Sequence, residues 1–274
     1  MNFITGEKIQ FLCDHFVGKE RDFKFNPKVK NYEEKFIYLN HNESINNKSL
    51  VFCYSNLLKN TNELINTLKM FKNNFCLVLH NSDQNINERD LILFKKLPLL
   101  QRIYTQNMNV NHKNVIPLPI GLANSMWSHG NLDIFREIYN MNIEKTKNIY
   151  FFFSIRTNRR IRKVCYDKMK DKNLKWGNKL SFKEYLIELK KHKYSICPEG
   201  NGIDTHRFWE CLYMNVIPIC LKNKLVEYYS KYFPIVLLDD WSDLDPETLE
   251  KNYSKNVIDH NYLNLNYIKE LINK

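Results

Sequence analysis

The chain lacks several things at once, and each absence narrows what it can be. None of its seven cysteines forms a C-x-x-C pair, and their number is odd. Cys53, Cys76, Cys197 and Cys220 lie inside apolar runs, as small buried hydrophobes do. A disulfide framework and a structural zinc site are therefore not expected, and a reducing compartment is. No apolar leader opens the sequence, because Met1–Lys19 is broken by Glu7, Lys8, Asp14 and His15. The longest strongly apolar stretch, Ile149–Ile155, is far short of the ~20 residues a membrane-spanning helix needs. The expectation is a cytoplasmic protein without a membrane span. There is no internal repeat and no low-complexity block. Acidic residues are in deficit, 30 against 41 basic, which leaves a net charge of +11. That excess is not gathered into a tail. Its densest run, Arg156 to Lys163, carries Asn and Ile at structured spacing, which favours a solvated basic surface with an anion pocket over a nucleic-acid groove.

What is present is enough for two modest α/β domains: 274 residues, 43% of them hydrophobic. Residues 1–47 are rich in Asn and Lys and give little signal beyond a short edge strand at Phe36–Leu39. Strands are expected at Leu50–Tyr54, Phe75–His80, Arg102–Gln106 and Val115–Ile120, with helices at Asn62–Phe71 and Asp90–Lys96 between them and Asn131–Asn140 after. The polar segment Asn142–Lys147 reads as a linker, which sets a first domain at 1–145 and a second at 146–260. The second opens with the buried strand Asn148–Ser154. Helices follow through Met169 and from Ser181 to His192, the latter with Glu184 completing a capping box. Helix Leu225–Tyr232, strand Pro234–Leu238 and apolar residues at helical spacing from Tyr262 to Lys274 complete the chain. Strands alternating with helices imply parallel βαβ packing.

The most informative stretch is Tyr194–Ile219, YSICPEGNGIDTHRFWECLYMNVIPI. Tyr194–Cys197 reads as a buried strand. Pro198–Asp204, with Glu199, Gly200, Asn201 and Gly202, should turn tightly and bring bare backbone N–H groups to a surface. A helix capped by Asp204 or Thr205 follows, carrying His206, Arg207 and Glu210, and Val216–Cys220 is the next strand. Such a unit presents a helix N-terminus as an anion site at the carboxyl end of a parallel strand. Arg207 suits a diphosphate, and Glu210 one turn deeper suits a ribose diol. The alternative is that the two simply pair with each other across one turn.

PEGNGIDTHRFWECLYMNVIPI resembles the signature of exostosin-like glycosyltransferases: Pro-x-Gly, a short loop, Arg, Glu-Ala-Leu, a small segment, then Pro-Val. The resemblance covers about 25 residues closely and extends more loosely from Asn148 to Trp241. It departs at Cys211 and Met214–Asn215, where the family has small residues, and the membrane anchor of animal members has no counterpart. It implies a GT-B fold, with two Rossmann-like domains whose parallel sheets face across a cleft. It also implies a nucleotide-sugar donor, UDP- or GDP-linked, in the second domain, and a carbohydrate or glycoconjugate acceptor at the first. Transfer would invert the anomeric carbon, with no cofactor required. Arg207 would hold the donor phosphates, Glu210 the ribose, and residues 261–274 would cross back to the first domain.

Three further groups fall just after strands. His80 and Asp83 offer a catalytic base, Asp83 ahead of His80, or an Asx-turn without chemistry. Asn124, Trp127 and His129 are suited to binding an acceptor sugar, unless the segment is a plugging loop with Asn131 capping the next helix. Arg156, Arg159 and Arg160 follow the buried strand, and one of them, Arg156 first, is expected to neutralise the leaving diphosphate. Asp239–Asp240 and Asp243-x-Asp245 read as turn caps and not as a metal site. A non-catalytic nucleotide-sugar or glycan-binding module and a basic nucleic-acid-binding protein are the rival functions.

Overall fold

In the computed structural model the described residues are 1–17, 49–69, 71–251, 253 and 258–273. The edge strand expected at Phe36–Leu39 lies outside them. The chain divides into two compact units, Met1–Ile120 with Asn264–Lys274, and Gly121–Leu263. Each is a mixed α/β body built on a wholly parallel sheet.

The first unit runs α1 (Gly6–Phe11), β1 (His15–Val17), β2 (Ser49–Tyr54), α2 (Thr61–Leu68), β3 (Phe75–His80), α3 (Glu88–Phe94), β4 (Leu100–Thr105) and β5 (Val115–Pro117). The five strands lie side by side in chain order. Every residue of β3 is buried, as in a strand covered on both faces. Leu50, Phe52, Cys76 and Val78 face Ile4, Ile9 and the terminal helix residues Leu265, Ile268 and Ile272. Helices α2 and α3 are tied together by Thr61, whose hydroxyl donates to the Asp90 carboxylate at 2.9 Å. Asp90 also closes a capping box with Asn87, so α3 starts two residues earlier than its apolar pattern suggests.

The second unit runs α4 (Leu132–Asn140), β6 (Lys147–Tyr150), α5 (Arg159–Asp171), α6 (Phe182–Lys190), β7 (His192–Ile196), α7 (His206–Tyr213), β8 (Ile217–Leu221), α8 (Lys224–Tyr229), β9 (Val236–Leu238) and α9 (Pro246–Lys251). A last helix, α10 (Leu265–Asn273), belongs to the first unit. There Leu265 N–H donates to Asn2 O at 2.9 Å, and Tyr104 Oη donates to Leu271 O at 3.3 Å.

The division at Ile120/Gly121 departs from the expected boundary at 145/146, and the reason is physical. The Lys190 ammonium, buried on α6, donates to Ile138 O and Tyr139 O at 2.8 and 2.7 Å, the last carbonyls of α4. Phe135 of α4 meets Tyr213 edge-on at 5.6 Å. The expected linker holds Lys145, whose Nζ donates to Lys190 O, His192 O and Met214 O. Polar composition there marked an internal tie.

In this sheet too the strands follow chain order, β6-β7-β8-β9. Tyr194 and Ile196 face α5 through Cys165 and Met169, together with Trp241. Cys197, next in the alternation after Ile196, approaches Cys211 of α7, Sγ to Sγ 3.7 Å. The chain therefore leaves β6 toward one face and β7 toward the other. Both exits lie at the carboxyl edge of the strands, the edge at which parallel sheets carry their ligands. The expected strand Asn148–Ser154 stops at Tyr150 because Phe151–Ser154 turn away to build this edge.

Candidate functional site

The site begins with the turn after β7. Glu199 O accepts from Arg162 Nε at 2.8 Å, and Gly200 O accepts from Asn158 Nδ2 at 2.7 Å. Gly200 N–H closes onto Gly202 O at 3.0 Å. Neither glycine uses the left-handed region, and a Cβ on Gly200 would meet Arg162 Nη2 at an ordinary 3.4 Å. The turn is thus held by its carbonyls against α5, and the expected display of bare amides is reduced by the internal Gly200–Gly202 bond. Asn201 is exposed at its tip. Thr205 is the N-cap residue of α7 but makes no side-chain capping bond, while Asp204 turns inward to accept from Trp209 Nε1 at 2.8 Å.

Arg207 lies in the first turn of α7, with no acidic residue in that turn. Its Nη1 donates to Phe152 O at 2.8 Å, which pins it across to the end of β6. The guanidinium lies 4.5 Å from the Tyr185 ring centroid and 5.3 Å from that of Tyr150. Its Nε is buried without a hydrogen-bond partner, 3.9 Å from Glu210 Oε2. The side chain as a whole is 21% exposed. Burial acts to lower its pKa, but the neighbouring Tyr185, Tyr150 and Glu210 outweigh it and the pKa rises, so the charge is fixed.

Glu210 departs from its expected place on a ribose. It is only 5% exposed and accepts from Tyr185 Oη at 2.6 Å. The carboxylate thus serves Arg207 from behind, and the i, i+3 pair weighed from the sequence is the arrangement found. Burial drives the Tyr185 phenol well above its ordinary range, so it stays a neutral donor.

The second cation is Arg162, which sequence reasoning missed. Arg156, Arg159 and Arg160 are exposed, turned outward by the single 3₁₀ turn Ile155–Asn158 and the start of α5. Arg162 instead donates to Ser154 O at 2.9 Å and to the Glu199 carbonyl. Burial first, then the charge of Arg207, lower its pKa to about 10. The signal was helical spacing: Arg162 stands three and seven residues before the buried Cys165 and Met169, on the inward face of α5. The two guanidiniums reach along the carboxyl edge in opposite senses, α5 to the β7 turn and α7 to the β6 end. Two neighbouring cations, one of them backed by Glu210, are the chemistry that suits an anion.

Behind the turn lies a cavity of about 210 Å³, lined by Glu199, Asp204, Thr205, Phe208, Asn223, Val226, Tyr229 and Trp241 among others. Glu199 Oε1 accepts from Asn223 Nδ2 at 3.0 Å. Burial raises the Glu199 pKa, against the pull of that bond.

Trp127 is 51% exposed and stacks on His129 at 6.2 Å; His129 meets His206 edge-on at 6.1 Å. His206 Nδ1 lies 2.8 Å from Gly121 O. The expected acceptor loop is therefore joined to the head of α7. A Cβ at Gly130 would fall 2.0 Å from the half-buried Asn124's carbonyl oxygen, and Gly121 takes φ 66°, so two glycines shape this loop. Asn131 caps α4.

In the first unit His80 is completely buried, with Nδ1 3.0 Å from Asn81 Oδ1 and Nε2 3.1 Å from Pro119 O. A base needs an accessible nitrogen, so the expected role of His80 is replaced by a structural one. Asp83 is exposed at the same strand end.

Among the described residues no cluster of His, Cys, Asp and Glu could hold a metal ion. Asp239 pairs with Lys222, while Asp240, Asp243 and Asp245 bond backbone amides of their own turns. No helix among the described residues is long and apolar enough to cross a membrane. Compared with protein-family models and with curated proteins, the chain finds no match.

Proposed function

We propose that the chain is a GT-B glycosyltransferase that moves a sugar from a UDP- or GDP-linked donor to a hydroxyl of a carbohydrate or glycoconjugate, with inversion. The observation that carries the reading is the crossed pair Arg162 and Arg207, the latter with a buried Nε lacking a hydrogen-bond partner. A cation in the first turn of a helix is disfavoured by the helix dipole, and a bound anion reverses that penalty. Fixed cations help most where a leaving group gains charge, as a departing nucleoside diphosphate does.

In this reading Arg162 and Arg207 hold the diphosphate, and Tyr185 and Glu210 fix the plane of Arg207. Trp127 stacks on an acceptor ring, with Asn124 and His129 on its hydroxyls. The acceptor oxygen bonds to the anomeric carbon as the bond from that carbon to the phosphate oxygen breaks. The electron pair leaves on the diphosphate, and the acceptor proton passes to the Asp83 carboxylate. No cofactor enters this scheme.

A thermal-shift panel of nucleotide sugars, followed by assay of nucleotide release with glycan acceptors, tests the reading. A UDP- or GDP-sugar is expected to raise the melting temperature and to release its nucleotide when an acceptor is added. A panel that shifts nothing overturns it. Donor binding without turnover on any hydroxyl acceptor would make the chain a non-catalytic binding module. Oligonucleotide binding with a steep salt dependence would assign the basic surface to nucleic acid instead.

A further inference from the structure

We propose that the cavity behind the Glu199–Gly200 turn is a nucleobase slot that selects guanine, so that the donor is a GDP-sugar. This rests on the donor reading above and adds the identity of the base. At about 210 Å³ the space is larger than a base and smaller than a whole nucleotide. Its walls are mostly apolar, with the aromatic side chains of Phe208, Tyr229 and Trp241 among them. A hexose needs polar partners around its rim; a base needs them along one edge.

The polar lining is mixed: Trp241 Nε1 is a buried donor without a hydrogen-bond partner, as suits a carbonyl such as guanine O6, and the carboxylates are acceptors. Lys222, at the exposed rim, is paired with Asp239 at 2.7 Å. Asn223 is engaged at both ends, its Oδ1 capping α8 at Leu225 and Val226 and its Nδ2 on Glu199. Asp204 holds the Trp209 indole. Glu199 therefore presents an oriented carboxylate, whose oxygens have lone pairs left over after the Asn223 bond.

Guanine places two donors side by side, N1–H and the 2-amino group, which a carboxylate takes bidentately. Uracil offers one N–H flanked by two carbonyls that a carboxylate would repel, and adenine alternates donor with acceptor. The Glu199 backbone carbonyl meanwhile faces Arg162, so one turn separates the slot from the diphosphate cations.

Titration calorimetry of the full chain with GDP, UDP and pyrophosphate tests the slot. GDP is expected to bind at least about tenfold more tightly than UDP, the size of one bidentate discrimination. Glu199→Gln should bring the two nucleotides close to equal. Val226→Phe fills the slot from α8 without touching the Glu199–Asn223 bond, and should reduce both nucleotides to the affinity of pyrophosphate. Arg207→Ala should weaken all three alike. UDP binding as tightly as GDP, or a GDP preference that survives either slot variant, overturns the slot and leaves the donor reading standing. If the wild-type chain binds none of the three, both fall.

Discussion

The two sheets end in polar turns at the same strand edge, but they are finished in different ways. In the first unit the edge is laced by neutral groups. Asn81 N–H donates to Gln106 Oε1 and Asn81 Nδ2 to Gln10 Oε1, both at 3.1 Å. Ser82 O accepts from Ser55 Oγ and Asn107 Nδ2, and His80 spans Asn81 and Pro119. Asn81 and Asn107 both take left-handed backbone, φ 55° and 54°, which Asn tolerates. These partners are neutral and leave little field, although Gln10 Nε2 stays buried without a hydrogen-bond partner. In the second unit the same edge is laced by two guanidiniums: Arg207 has the Glu210 carboxylate 3.9 Å behind it, and the hydrogen bonds of Arg162 go to neutral carbonyls that leave its charge in place. A strand-end turn tied by amides is scaffold; one tied by cations is, under the proposed function, where the donor anion binds.

The largest expected effect breaks the charged edge outright. Arg207→Ala leaves Glu210 buried without its neighbouring cation and Phe152 O without its donor. A loss of about 2–3 kcal/mol is expected, less than for a fully enclosed pair because Arg207 is one-fifth exposed. Nucleoside diphosphate affinity should fall at least about tenfold. Arg207→Met with Glu210→Gln separates the two effects: chemical denaturation should show most of the stability returned, and calorimetry should show none of the affinity. A double variant that binds as the wild type does would remove Arg207 from the site.

The neutral edge should answer in the opposite way. His80→Ala empties a fully buried position and strands the Pro119 carbonyl, for an expected loss of about 2 kcal/mol in urea unfolding. Diphosphate affinity of the fraction still folded should not change. Asp83→Asn, on the exposed surface, should leave stability within about 0.5 kcal/mol. It should also lower turnover at least about a hundredfold while donor binding stays intact. Turnover retained in Asp83→Asn would send the search for the base elsewhere.

Much of this contrast was legible in the sequence, because period and punctuation are local. The buried runs of β2, β3, β7 and β8 and the βαβ unit around Arg207 follow from apolar spacing alone. Helix and strand ends moved by one to four residues where a cap or a departing chain decided them, as at Asn87 and Phe151. The unit boundary was not legible, because Lys145 and Lys190 look like solvated linker charges until their ammoniums are seen on carbonyls. Arg162 was not legible because it shares one basic run with Arg156, Arg159 and Arg160, and only the buried face of α5 singles it out. Glu210 has the right spacing for a diol, and only the Tyr185 hydroxyl, 25 residues upstream, shows that the carboxylate is already engaged.

A subtler test asks which arginine of α5 belongs to the charged edge. Arg162→Met removes the ties to Glu199 O and Ser154 O, and with them the guanidinium that lies 5.7 Å from the Phe153 ring centroid, while keeping an unbranched apolar side chain. A fall of about tenfold in diphosphate affinity is expected, with a stability loss of about 1 kcal/mol. Arg156→Met and Arg159→Met, both exposed, should each stay within about twofold at physiological salt. If Arg156→Met matches Arg162→Met, the cation is being supplied from the surface and the crossed pair is not the site.

The smallest effect is the most discriminating in sign. Burial raises the Glu199 pKa in the folded chain. A carboxyl with a raised folded pKa contributes stability that is fully present below its ordinary value and is lost as pH rises through the raised one. Relative to Glu199→Gln, the wild type should therefore lose stability across the window just above the ordinary glutamate range, by under about 1 kcal/mol after solvent screening. Guanine recognition needs the ionised carboxylate, so GDP affinity should climb through the same window in which stability declines. Unfolding and calorimetric titrations at matched pH values would show two curves of opposite slope, both flat in Glu199→Gln. Curves that rise or fall together would mean that Glu199 orders Asn223 and α8 without meeting a ligand.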